Sequence, residues 1–203
     1  DEVVLRGLHI EIGGGVGIKV PAEAKFRLHE SVISNIEGVG LGLLSSGSDT
    51  VWLTNSVFRG LGTSAFLNAT STRLDGVWFD EVQDRALVVA GDGSHQRASG
   101  PARSLVGNVV NGVRIDFGSE SAIGIDYIYA STSIQDLYLA DYDRPLGPGV
   151  RFTDSIANVK NMQSIAPVSP GIQVLDSVLW LRDSMLKNAA TGVSAHGSSL
   201  EPQ

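Results

Sequence analysis

Short apolar pairs recur along the chain at a nearly fixed interval, each pair divided from the next by a small or polar residue. Leu5-Arg6-Gly7-Leu8-His9-Ile10 is the first example, and equivalent segments start at Leu28, Leu53, Leu74, Val110, Ile134, Val159 and Leu181. The starts lie 21–25 residues apart, apart from one interval of 36 between Leu74 and Val110. A repeat of this length suits one coil of a β-solenoid, in which each unit buries its apolar face only by stacking on its neighbours. No helical periodicity competes with it. The pattern predicts an all-β stack of about eight rungs filling residues 1–203 as a single domain.

The third position of each segment is the informative one. It holds Gly7, Glu30, Asn55, Gly76, Gly112, Asp136, Asn161 and Asp183. All but Glu30 are Gly, Asn or Asp, the residues that enter the left-handed backbone region at low cost. One such residue turns the chain sharply between two strands without a loop. The expectation is a vertical column of bends, with Asn55, Gly76, Gly112 and Asp136 stacked on one another.

A second motif follows each bend, usually a glycine and then alternating apolar residues. Gly17-Ile18-Lys19-Val20, Gly124-Ile125-Asp126-Tyr127, Gly149-Val150-Arg151-Phe152 and Gly171-Ile172-Gln173-Val174 show it clearly. Period-two alternation points Ile18 and Val20 inward and Lys19 outward. The expected outer column of these strands is Lys19, Gly42, Phe66, Leu87, Asp126, Arg151, Gln173 and Ser194. The strands after the bends should expose His9, Val32, Val57, Trp78, Arg114, Tyr138, Gln163 and Met185, and the strands before them Trp52 and Trp180.

This repeat resembles the right-handed parallel β-helix, or pectate-lyase-like, superfamily over nearly the whole chain. The resemblance implies a right-handed coil, an extracellular or cell-surface setting in a bacterial or phage-like protein, and a polysaccharide ligand in a groove outside one parallel sheet. It rests on repeat pattern, and so implies fold far more than activity. The catalytic signatures of the enzymes are missing. Ala195-His196-Gly197 keeps only part of the Gly-His-Gly of a galacturonase, and the aspartate cluster that should accompany it is absent.

Composition changes the picture in a few places. A net charge of −7 argues against a nucleic-acid surface, which needs clustered Lys and Arg. No apolar run is long enough to span a bilayer. With no cysteine there are neither disulfides nor thiolate metal sites. The histidines are scattered and lack partners at ligand spacing, so no metal and no cofactor is expected. Asp1 opens directly onto the strand-like run Val3-Val4-Leu5, as expected of a piece cut from a longer protein. The long interval places a polar, Gly-rich insertion at about 91–103, expected to protrude as a loop.

Candidate chemistry is sparse. Asp126 and Arg151 stand on neighbouring rungs, and an acid beside a base could grip a sugar or assist proton transfer; the commoner arrangement of two such residues is a cross-strand ion pair on a solvated face. One acid is too few for a glycosidase, which needs a pair of carboxylates flanking the bond. His95 and Arg97 in the insertion, with Phe66 and Lys19 from the outer column of the glycine-led strands, are candidate binding residues. Val32, Val57, Trp78 and Trp52 form an apolar outer stripe, a candidate interface for a second copy, for the rest of a parent chain, or for sugar rings. The expected function is a non-catalytic extracellular module for carbohydrate binding, adhesion or scaffolding. The alternative is a polysaccharide lyase, epimerase or hydrolase centred on Asp126 and Arg151.

Overall fold

The computed structural model describes residues 1–91, 107–141, 147–165, 170–187 and 189–202. Of the insertion at 91–103, only Gly91 falls among them. The chain forms an all-β parallel solenoid of about seven turns.

Each turn lays one strand on each of three faces. The first face carries Glu2–Arg6 and Lys25–His29, then the later part of Leu41–Thr54 and its successors. The second carries His9–Glu11, Val32–Ser34, Val57–Arg59 and Trp78–Val82, then the later parts of Asn108–Phe117 and Ser131–Asp141. The third carries Val16–Val20, Arg85–Ala90, Ile123–Ile128 and their equivalents. The strands of the third face are joined by seven successive parallel pairings, one for each step between neighbouring rungs.

The bends form the expected column. All eight third-position residues have positive φ, from 47° at Asn55 to 66° at Gly7. Their amides reach across to the next coil: Gly7 N–H donates to His29 O, Asn55 N–H to Asp75 O and Gly76 N–H to Asn111 O. Gly76 shows why the column favours small residues, since a Cβ there would lie 2.5 Å from Asn55 Oδ1. Glu30 adopts the same conformation, and its carboxylate accepts from Arg6 Nε on the coil before it at 2.9 Å.

The inside is a column of aliphatic and aromatic side chains. Leu28, Leu53, Leu74, Val110, Ile134 and Val159 are successive register partners, all fully or almost fully buried. Phe58 packs on Phe79 with centroids 5.4 Å apart, and Tyr127 stacks on Phe152 at 5.3 Å. Each such side chain contributes roughly 1.5–3 kcal/mol by leaving water.

A serine ladder lines two corners. Ser31 and Ser56 follow bend residues; Ser155, Ser177 and Ser198 follow Asp154, Asp176 and Gly197, which also have positive φ. Ser155 Oγ donates to Thr153 O at 2.7 Å and accepts from Ala130 N–H, one coil away, at 3.1 Å. Ser177 does the same for Ser155 N–H at 2.8 Å, and Ser198 for Ser177 N–H at 3.1 Å. A tight corner leaves backbone amides without ladder partners, and the hydroxyls supply them.

The third face departs from the expected outer column in two places. Lys19 pairs with Leu44, and Leu44 with Phe66, so Leu44 takes the place assigned to Gly42. Phe66 pairs with Val88, and Val88 with Asp126. Leu87 instead points inward, beside Ala65 and Ile125. Arg85 aligns with Thr63 rather than Ser64, and a slip of one residue turns every side chain of a strand to the opposite face.

Candidate functional site

Asp126 and Arg151 are direct register partners on the third face. The Asp126 carboxylate is fully buried and accepts from Arg151 Nε at 2.9 Å and Arg151 Nη2 at 2.5 Å. Arg85 Nη1, from the coil on the other side, lies 3.7 Å from Asp126 Oδ2. Its hydrogen bond to Asp126 raises the Arg151 pKa above the ordinary guanidinium range. A carboxylate gripped in this way joins three coils, and both its oxygens are already committed to guanidinium groups.

The other expected residues are dispersed. Lys19 is exposed and Phe66 half-buried in the same column, with Leu44 between them. His95 and Arg97 lie outside the described residues. Val32, Val57 and Trp78 are consecutive, half-buried neighbours on the second face. Trp52 belongs to the first face, between Arg27 and Arg73, with the Arg27 guanidinium 4.2 Å from the ring centroid. The apolar stripe is therefore confined to the second face, and Trp52 is no part of it.

The second face also holds a charged and aromatic cluster. Its outer column runs His9, Val32, Val57, Trp78, Arg114, Tyr138 in register, as alternation requires. Two residues further along each strand stand Glu11, Ser34, Arg59 and Asp80, again in register. Trp78 Nε1 donates to Asp116 Oδ2 at 2.7 Å, and Arg114 Nε donates to the same oxygen at 2.9 Å. Arg59 Nε donates to Asp80 Oδ2 at 2.7 Å. The Arg59 and Arg114 guanidinium groups lie 5.9 Å and 5.3 Å from the Trp78 ring centroid, and Arg114 lies 5.6 Å from Tyr138.

A register shift shapes this region. Phe79 pairs with Ile115, but Val82 pairs with Phe117, so Trp78–Val82 carries an extra residue. Glu81 sits in the bulge with φ of 54°. Bulges of this kind re-aim side chains and recur beside functional sites.

Two adjoining hollows flank the bulge and share Arg59, Glu81 and Gln83. One, of about 730 Å³, is also lined by His9, Glu11, Val32, Asn35, Ile36 and Glu37. The other, of about 510 Å³, is also lined by Trp78, Asp80, Phe117 and Gly118. Together they make an open groove crossing the first five coils on the outside of one parallel sheet. Gly60 forms part of its floor, and a Cβ there would lie 2.3 Å from Asn35 O. The residues that sequence reasoning missed, Arg59, Asp80, Glu81 and Asp116, carried a usable signal: except for Glu81 in the bulge, each follows an expected outward residue by two positions.

Among the described residues, no group of three or more His, Asp or Glu side chains is placed to hold a metal ion, and no helix is long and apolar enough to cross a membrane. No known protein family, curated protein or solved structure matches the chain.

Proposed function

We propose that this protein is a non-catalytic carbohydrate-binding β-helix module acting outside the cell, and that the groove of the second face is its binding site. The observation that carries the reading is the placement of Trp78 in an open groove with Arg59, Asp80, Glu81 and Gln83 around it. A sugar ring offers an apolar C–H face and a rim of hydroxyls. It therefore suits a site that combines an aromatic side chain with fixed donors and acceptors.

The state of the aspartates favours binding over turnover at their own positions. Asp116 is fully buried and held by Trp78 and Arg114; Asp80 is held by Arg59; Asp126 is held by Arg151. Fixed ion pairs of this kind orient a ligand, whereas glycoside hydrolysis needs two carboxyl groups free to face the scissile bond. The interface and scaffold readings of the stripe Val32, Val57, Trp78 belong to the same surface and compete with it.

Binding to immobilised neutral and charged polysaccharides tests the proposal. Retention should be lost in Trp78→Ala and kept in Trp52→Ala, which alters a tryptophan of similar burial on another face. Equal retention by both variants would overturn it. Release of unsaturated products or reducing ends, abolished by Asp126→Ala, would replace it with the enzymatic reading.

A further inference from the structure

Both ends of the stack expose the parallel edge that is covered at every step between them. In the first coil, Glu2–Arg6, His9–Glu11 and Val16–Val20 each pair, among the described residues, with one strand of the second coil. At the other end Met185–Leu186, Val193–His196 and Ser199–Pro202 likewise pair on one side only. Their inward residues are apolar yet not sealed. Val3 is 41% exposed and Leu200 47%, whereas their register partners Phe26 and Leu179 are buried. Leu5, Ile10, Ile18, Leu186 and Val193 are only partly buried against the core. Open strand edges of this kind are templates for a further strand. Gly192 is an independent sign. Inside the stack, the glycines that lead the third-face strands lie against a carbonyl of the next coil: a Cβ at Gly42 would sit 2.5 Å from Ser64 O, and one at Gly171 2.8 Å from Gly192 O. At Gly192 the nearest atom is Leu186 Cδ1, at 3.8 Å, and the backbone is not left-handed. The close approach that glycine permits is unused there within a single copy.

We infer that these two ends bind each other, the last coil of one copy of this chain stacking on the first coil of the next. The ladder itself identifies the occupant. Every step of the solenoid joins an edge facing the last coil to an edge facing the first, so each end presents the edge that its opposite end accepts. A head-to-tail contact of this kind is heterologous and propagates into chains of copies. Glu2–Arg6 and Ser199–Pro202 both lie on the first face, so the described stack runs one face past a whole number of coils. A second copy therefore continues the coil when turned by about a third of a turn. Val3 and Leu5 then fall over Leu186, Ile10 over Val193 and Ile18 over Leu200, apolar on apolar at all three faces. A backbone carbonyl of the arriving coil fills the space over Gly192. The contact lies apart from the groove of the second face, and the inference is independent of the carbohydrate reading.

Sedimentation velocity over a wide range of concentration tests this. The parent chain should pass from monomer to dimers and longer species as concentration rises. Val3→Lys and Leu200→Lys each place an ammonium group on one end, at positions exposed enough in the single copy to leave the fold intact, which circular dichroism verifies. Each variant alone should need a concentration at least about tenfold higher than the parent to associate, because stacking would bury an unpaired charge. Mixed together, the two should form dimers and nothing longer: the unaltered last coil of the Val3→Lys variant meets the unaltered first coil of the Leu200→Lys variant. A parent chain that stays monomeric throughout would overturn the inference. Either variant associating by itself as readily as the parent would also overturn it, since the contact would then join like ends or use another surface.

Discussion

The indole of Trp78 and the carboxylate of Asp116 lie on successive coils of the second face and are joined by a hydrogen bond of 2.7 Å from Nε1 to Oδ2. Asp116 is fully buried, and its other contacts come from Arg114. The carboxylate therefore sets both the tryptophan ring and the arginine that passes over it. Asp116→Asn keeps the shape but weakens two charge-assisted bonds, one of them from a half-exposed arginine. Destabilisation of about 1–3 kcal/mol is expected, with a change in Trp78 fluorescence and weaker glycan binding. Urea titration followed by tryptophan emission checks the first two, and the polysaccharide assay the third. An unaltered emission spectrum would show that Asp116 does not orient the ring.

The Asp126 cluster should respond asymmetrically to the loss of either partner. Arg151→Ala leaves a fully buried carboxylate with Arg85 at 3.7 Å as its remaining cation, so a loss of about 3 kcal/mol or more is expected. Asp126→Ala leaves arginines that are partly exposed and can turn to water, so a smaller loss of about 1–2 kcal/mol is expected. The comparison of the two midpoints in urea reads the difference. Equal losses would mean that solvent reaches the carboxylate.

Ser155 hydroxyl stands between two coils and serves the buried amide of Ala130. Ser155→Ala removes that acceptor and should cost about 1–3 kcal/mol, the penalty for an unsatisfied buried donor. Ser119→Ala, on an exposed turn, should fall within about 0.5 kcal/mol of the parent. Amide exchange at Ala130 should speed up in the first variant and stay unchanged in the second.

Glu30 is the one bend residue outside the Gly, Asn and Asp set, and its ion pair with Arg6 gives it a pH signature. The hydrogen bond from Arg6 lowers the Glu30 pKa, so the pair's contribution is present above the ordinary glutamate range and is lost as pH falls through the lowered value. Glu30→Gly relieves the left-handed backbone but gives up the pair. The variant should therefore gain on the parent protein as pH drops below about 4 and as salt is added. Thermal melts at pH 3 and pH 7 would show this, and a gain confined to pH 7 would contradict it.

The coil and its bends were legible because they are local properties. Gly7, Asn55, Gly76 and Asp136 mark left-handed positions through their own backbone preferences, whichever coil they later touch. The inward set Leu28, Leu53 and Leu74 follows from the same repeat. The pairing of Asp126 with Arg151 was also within reach, because equal positions in successive repeats must meet. The dependence of that pair on Arg85 was not, since the rung containing Arg85 is shifted by one residue.

Alternation and repeat length alone determine that this chain coils, where it bends and which residues form its interior, because each is set by preferences acting over a few residues. The groove was decided in three dimensions. Arg59, Asp80 and Asp116 come from different coils, and their meeting depends on strand register and on the extra residue in the bulge at Glu81. Register is a relation between strands, fixed by what packs beneath them and by how each turn closes. A repeat read along one chain carries the order of the coils, whereas the side-chain partners arise only when the coils stack.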